Sequence, residues 1–242
     1  KAFMFATDDA FYKSAYEDSN YGSNKLQQIL VNNFGTNTLA NLKTPIVIPA
    51  YEEDMSRYVV FSNFNDPAYF IGNTETIVNV CRASSAAPVY LPAHNFNGHY
   101  YSDGGVYAND AILAAINVGL SVKSHATRIV IIDVGTGIGN MSFDGSGGAS
   151  TDLEHSAVRA VKIMNVAMTG AEEWSRYYLD YLSNRLARDV YYYKFQPKFP
   201  ENFPNELDNS TPAWFANLGN LIDTHYSNES DKISSILAHL TA

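Results

Sequence analysis

The stretch Val80 to Ala114, VCRASSAAPVYLPAHNFNGHYYSDGGVYANDAILA, limits the folds open to this chain more than any other. Small residues crowd from Ala83 to Ala87. The segment Pro88 to Pro92 is bounded by two prolines, which stop a helix and stiffen the approach to the next strand. That aromatic strand, His99 to Ser102, runs into Asp103-Gly104-Gly105, and a helical run, Asn109 to Val118, comes next. An Asp at the end of a strand, followed by two glycines, belongs at the carboxyl edge of a sheet, where open α/β sheets gather their chemistry. Glycine tolerates positive φ and lets backbones approach closely, so the carboxylate can be held and stay accessible. Asp-Gly is also an ordinary turn, and taken alone the motif reads as a strand-to-helix connection.

The flanking chain supplies elements for an α/β arrangement. Asn24 to Phe34 sets Leu26, Ile29, Leu30 and Phe34 on one helical face and meets Gly35 as a stop. Ile46-Val47-Ile48 and Tyr58 to Phe61 read as short buried strands, separated by the acidic Glu52-Glu53-Asp54. That trio is either a cation site or a solvated turn, and the turn is favoured because no further ligands converge on it. Thr74 to Ser85 reads as a helix with Ile77, Val78 and Cys81 inward, and Cys81 as a small buried hydrophobe. Arg82 is read as half of a structural ion pair in preference to an anchor for a substrate carboxylate or phosphate. Arg128 to Val134, RIVIIDV, is apolar almost throughout, as in a central parallel strand covered on both faces. The Gly135-Thr136-Gly137-Ile138-Gly139 run after it lacks an immediate helix and a P-loop lysine, so it reads as a flexible surface loop. Beyond the glycine-rich segment Asp144 to Ser150 the chain is mostly helical. Ser156 to Gly170 carries Val158, Val161, Val166 and Met168, and Ala171 to Asp189 carries Trp174, Tyr177, Tyr178, Tyr181 and Leu182. An aromatic strand, Tyr191 to Phe195, and closing helices over Pro212 to Leu221 and Asp231 to Leu240 complete it. The opening cluster Phe3, Met4, Phe5 and Phe11 reads as either a strand remnant or a helix start with an Asp cap.

Bulk properties narrow the partners. A net charge of -9 argues against nucleic acid and against electrostatic capture by anionic membranes, leaving any lipid contact local and apolar. The one cysteine rules out a disulfide framework, and no metal spacing such as HExxH occurs, so neither a cofactor nor a metal is expected. No run approaches membrane-spanning length. With no repeat or composition break, residues 1–242 are read as one domain.

ASSAAPVYLPAH followed by SDGGVYANDA resembles the second half of a patatin-like lipid acyl hydrolase. TPIVIPAYEED with RYVVFSNF, IVIIDVGTGIG and EEWSRYYLDYL resemble further family segments in the same order. The resemblance implies a patatin-like three-layer α/β sandwich with a mostly parallel central sheet. It implies a Ser–Asp dyad cleaving fatty-acyl esters of membrane lipids, with Asp103 as the base and Gly104 and Gly105 shaping its turn. It implies transient contact with a membrane surface, in a compartment that the chain leaves open.

The nucleophile that such chemistry requires is missing. No GxSxG elbow occurs from Lys1 to Ala242, nor a glycine-rich oxyanion loop. Gly145-Ser146-Gly147 has the wrong spacing and follows the Asp, while Ser84 and Ser85 lie in a helix without flanking glycines. The chain therefore reads as the C-terminal part of a patatin-like domain that lacks its N-terminal strands. On that reading Ile46–Ile48 and Arg128–Val134 carry unpaired edges, and the N-terminal portion of the same protein completes the fold. A catalytically inactive scaffold or partner-binding module is the second reading. A Ser-His-Asp hydrolase is the third, drawing on His125, His155, His225 or His239, none of which has a motif around it.

Overall fold

A computed structural model of the chain describes residues 22–63, 70–72, 74–88, 90–123, 125–138, 153–183, 185, 189–201, 203 and 210–241. The cluster at Phe3–Phe11 and the segment Asp144–Ser150 lie outside these residues, and Val158, Val161 and Leu182 lie outside the described side chains. Two compact units divide the chain, one drawn from Phe3–Ser124 with Gly145–Leu179, the other from His125–Asp144 with Asp180–Ala242.

In the first unit, helix α1 (Asn24–Phe34) stops at Gly35, whose φ of 55° only glycine adopts without strain, and whose N–H returns to Val31 O. Leu26 is buried beneath it and Leu30 and Phe34 are half-buried, while Ile29 faces outward. Strand β1 (Val47–Glu52) pairs with β2 (Arg57–Ser62) across a four-residue turn in which Ser56 takes φ 49°. β3 (Phe70–Ile71) runs parallel to β2. Helix α2 (Ile77–Ser84) begins later than the hydrophobic pattern predicts, because Thr76 is extended and its Oγ1 accepts the Asn79 N–H at 3.2 Å. β4 (His94–Phe96) and β5 (His99–Asp103) form a hairpin closed by Asn97 and Gly98, both at positive φ, as a tight two-residue turn requires. The sheet order is β3-β2-β1-β5-β4.

This sheet departs from the mostly parallel one expected. Every pairing within it except β2–β3 is antiparallel. Connection length accounts for two of these pairings, because a four-residue turn joins β1 to β2 and a two-residue turn joins β4 to β5, and turns that short permit only hairpins. β1 pairs with β2 along its whole length but with β5 only from Ala50 to Glu52, so at Val47 and Ile48 its second edge has no strand partner among the described residues. Leu39, Ala50, Val59, Phe61, Ile77, Val80, Ala83, Phe96 and Tyr101 form the core between this sheet and α2. Phe61 is fully buried, with ring centroids 5.7 Å from Tyr101, and such burial contributes about 1.5–3 kcal/mol. Cys81 packs at the margin of this core, where burial pushes its thiol pKa up.

After β5 come a short helix α3 (Gly105–Ala108), which the pattern does not predict, and α4 (Ile112–Val122), which starts later than the expected Asn109 and runs on past Val118. The Asp110 Oδ1 accepts the Ile112 N–H at 3.0 Å and so starts α4 afresh. α5 (Leu153–Ser183) runs unbroken through Gly170, joining the two expected helical stretches and ending before Asp189.

In the second unit β6 (Arg128–Val134) and β7 (Asp189–Phe195) pair in parallel over seven positions, and α6 (Pro212–Ser227) and α7 (Ser230–Thr241) come after them. β6 matches its expected limits, but it is not covered on both faces among the described residues: Ile132 and Val134 are exposed. The Asp133 carboxylate receives Tyr192 Oη at 2.6 Å and Lys194 Nζ at 3.1 Å. The glycine run after β6 is no free loop through residue 138. Ile138 donates its N–H to Pro197 O, and Phe199 donates back to Ile138 O.

Candidate active site

Asp103 is the last residue of β5 and is held from two sides. It pairs with Ala50 on β1, and its N–H donates to Ala86 O just beyond α2, at 3.0 Å. Gly104 is next, pressed against β1 so closely that a Cβ would lie 2.4 Å from both the carbonyl carbon and oxygen of Pro49. Gly105 leaves room for the Met168 methyl and for Asp103's own Oδ1. Neither glycine has positive φ, so what the motif exploits is close backbone approach. Tyr107, one turn on, donates its hydroxyl to Val59 O at 2.9 Å and packs against Tyr58, tying α3 to the sheet.

The Gly105 N–H donates to Asp103 Oδ1 at 2.7 Å. Among the described residues no cation pairs with this carboxylate. Burial pushes its pKa above the usual carboxylate range, and the Gly105 N–H offsets part of that rise. The result is a half-buried carboxylate, oriented by one backbone donor and more basic than a surface Asp. It can accept a proton from a hydroxyl brought against it.

The alternative residues do not assemble around it. Ser84 donates its hydroxyl to Pro49 O at 2.8 Å, and Ser85 Oγ faces Arg82 O at 3.5 Å, so both are occupied with backbone carbonyls. Arg82 is almost wholly buried, and the structural ion pair expected of it is not found among the described residues. Its described contact is with Pro92 O at 3.5 Å, and burial lowers its pKa. His94 sits against Asn79 Oδ1, His125 is exposed, and the His239 ring stacks on Tyr191 at 3.6 Å. His225 lines a cleft of about 410 Å³ with Gln196, Lys198 and Glu229, in the second unit and without Asp103. The His155 side chain lies outside the described residues, as does Gly145-Ser146-Gly147. The trio Glu52-Glu53-Asp54, read as a solvated turn because no further ligand converges on it, is turn only in part: Glu52 is buried at the end of β1, and His99 comes up beside it. The tight Asn97-Gly98 turn, which returns the chain so that His99 comes up beside β1, was the available signal.

These features define an α/β protein whose candidate chemistry sits on a strand-to-helix turn. Residues 5–116 match the family model for patatin-like phospholipase, so that this part of the chain is similar to that family. Among curated relatives, a cGAMP-activated phospholipase of Pseudomonas aeruginosa is 29% identical over 84 residues, 35% of this chain and 25% of the relative. Patatin-like protein 2 of Arabidopsis thaliana is 31% identical over 105 residues, 40% of this chain and 26% of the relative. Patatin-like protein 4 of the same plant is 28% identical over 182 residues, covering 69% of this chain and 40% of the relative. The chain thus spans well under half the length of the relatives it matches. No described helix is long and apolar enough to cross a membrane.

Proposed function

We infer that this chain contributes the base of a serine-dependent lipid acyl hydrolase, with Asp103 taking the proton from a serine hydroxyl as that oxygen attacks a fatty-acyl ester. The observation carrying this reading is the Asp103 carboxylate itself, raised in basicity by burial and anchored through one oxygen by the Gly105 N–H. The match of residues 5–116 to the patatin-like phospholipase family model supports the ester substrate. The serine is supplied from outside residues 1–242, since neither Ser84 nor Ser85 has a hydroxyl to spare and no GxSxG occurs in the chain. The N-terminal portion of the same protein brings it, together with the strands that complete the fold. An exposed aromatic group on α5, Trp174 with Tyr177 and Tyr178, supports brief contact with a lipid surface, where amphipathic rings settle at the headgroup level.

The test uses the complete protein with a p-nitrophenyl acyl ester. Asp103→Asn keeps an oxygen for the Gly105 N–H and removes the base, so hydrolysis should fall while folding persists. Near-normal turnover overturns the assignment. An unmutated protein that hydrolyses no acyl ester would favour the scaffold reading instead.

A further inference from the structure

The β1–β2 turn and the start of β5 bring three ligand-type atoms together away from Asp103. Glu52 is fully buried, and Arg57 Nε holds its Oε2 at 2.6 Å. Its Oε1 has no hydrogen-bond donor, although it lies 2.9 Å from His99 Nδ1. Asp54 Oδ2 lies 2.7 Å from the same nitrogen, and Asp54 Oδ1 is fixed by the Tyr100 N–H at 2.9 Å. One ring nitrogen carries at most one proton, and here that proton is directed to Asp54. The ion-pair distance between His99 and Glu52 therefore does not amount to satisfaction of Oε1. A buried carboxylate oxygen without a donor is costly, and the cluster holds two carboxylates for one imidazole proton.

We propose that Glu52 Oε1, Asp54 Oδ2 and His99 Nδ1 form a binding site for a divalent first-row transition cation, of which Zn²⁺ is the probe. The three atoms lie within 4.8 Å of one another. A tetrahedral ion at about 2.0–2.2 Å from each sets neighbouring ligands about 3.3–3.6 Å apart, so the 2.7 and 2.9 Å separations open by roughly 0.4–0.9 Å, within reach of side-chain rotation at Asp54 and His99. An imidazole among carboxylates favours such an ion over Ca²⁺ or Mg²⁺, which prefer oxygen ligands throughout. The ion replaces the single shared proton and gives Oε1 a partner. Because Asp54 belongs to the β1–β2 turn and His99 opens β5, it also clips that turn to the strand that ends in Asp103.

Calorimetric titration of the metal-free full-length protein with Zn²⁺ tests this, alongside its thermal midpoint. The expected result is one saturable ion at this site and a raised midpoint. Asp54→Asn and His99→Ala, both at solvent-facing positions, should each weaken that binding by about tenfold or more. His125→Ala, an exposed histidine in the second unit, should leave it unchanged. Absence of saturable binding overturns the proposal. So does parental affinity in either the Asp54 or the His99 variant, or an equal loss in His125→Ala.

Discussion

Two strands of this protein end in glycines, and they use them differently. At the end of β5, Gly104 and Gly105 let the backbone lie against Pro49 and leave a carboxylate fixed at one oxygen. At the end of β6, the space in front of Gly135 is taken by the Gln196 amide, where a Cβ would lie 1.6 Å from Oε1. Gly137, at φ 110°, is covered by the Phe199 ring. The first turn is made of backbone contacts and keeps a reactive group in reserve; the second is plugged by side chains. Glycine after a strand is thus no functional sign by itself. What occupies the space that it leaves decides.

The largest expected effect separates the turns by chemistry. Asp103→Asn should lower acyl-ester turnover of the complete protein by about 10²–10⁴-fold. Its thermal midpoint should hold or rise, because a carboxyl whose folded pKa is raised costs stability once ionised. A midpoint that drops sharply would make Asp103 structural instead. Next comes Gly104→Ala, whose methyl meets main-chain atoms that cannot rotate away. A loss of about 1–3 kcal/mol by chemical denaturation is expected. Gly135→Ala meets only a movable amide tip and forfeits the Gly137 N–H to Gln196 Oε1 bond, so about 1 kcal/mol should be lost. Gln196→Ala in the same chain should recover part of it. If Gly135→Ala proves the costlier of the two, the contrast between the turns fails.

The smallest effect is in pH. Burial first, and the Arg82 charge second, lower the pKa of His94 from 6.5 to about 4. A depressed folded value means stability present above pH 6.5 and lost as pH falls toward about 4. Asp103, with its raised value, runs the other way, its share being present below 3.8 and lost as pH rises through its folded pKa. Denaturant midpoints should therefore fall on acidification between pH 6.5 and 4, and His94→Gln should flatten that slope.

Local signals made α1, Gly35 and β6 legible to the residue, because a helical stripe with a glycine stop and an unbroken β-branched run have few competing readings. The position of Asp103 at a strand end was legible too. The direction of the pairing was not. A proline in β1 argues against a strand flanked on both sides, yet Pro49 sits there. Its carbonyl turns to Ser84, on the side where β5 begins pairing only at Ala50, so its missing N–H leaves no gap in that ladder. Glu52 reads as turn because it is acidic, but Arg57 and the neighbourhood of His99 let it close the strand in full burial. Asn97-Gly98 was the overlooked cue, a short-range hairpin signal sitting in plain view.

β5 is only five residues long, yet it carries His99 at one end and Asp103 at the other. Those ends are an even number of positions apart, so both side chains emerge on the same side of the sheet, about 13 Å from one another. Gaining or losing a single residue between them would flip one relative to the other. Descendants of this chain can therefore change the exposed Tyr100 but neither the core residue Tyr101 nor the spacing, and the two ends must be inherited as a matched pair.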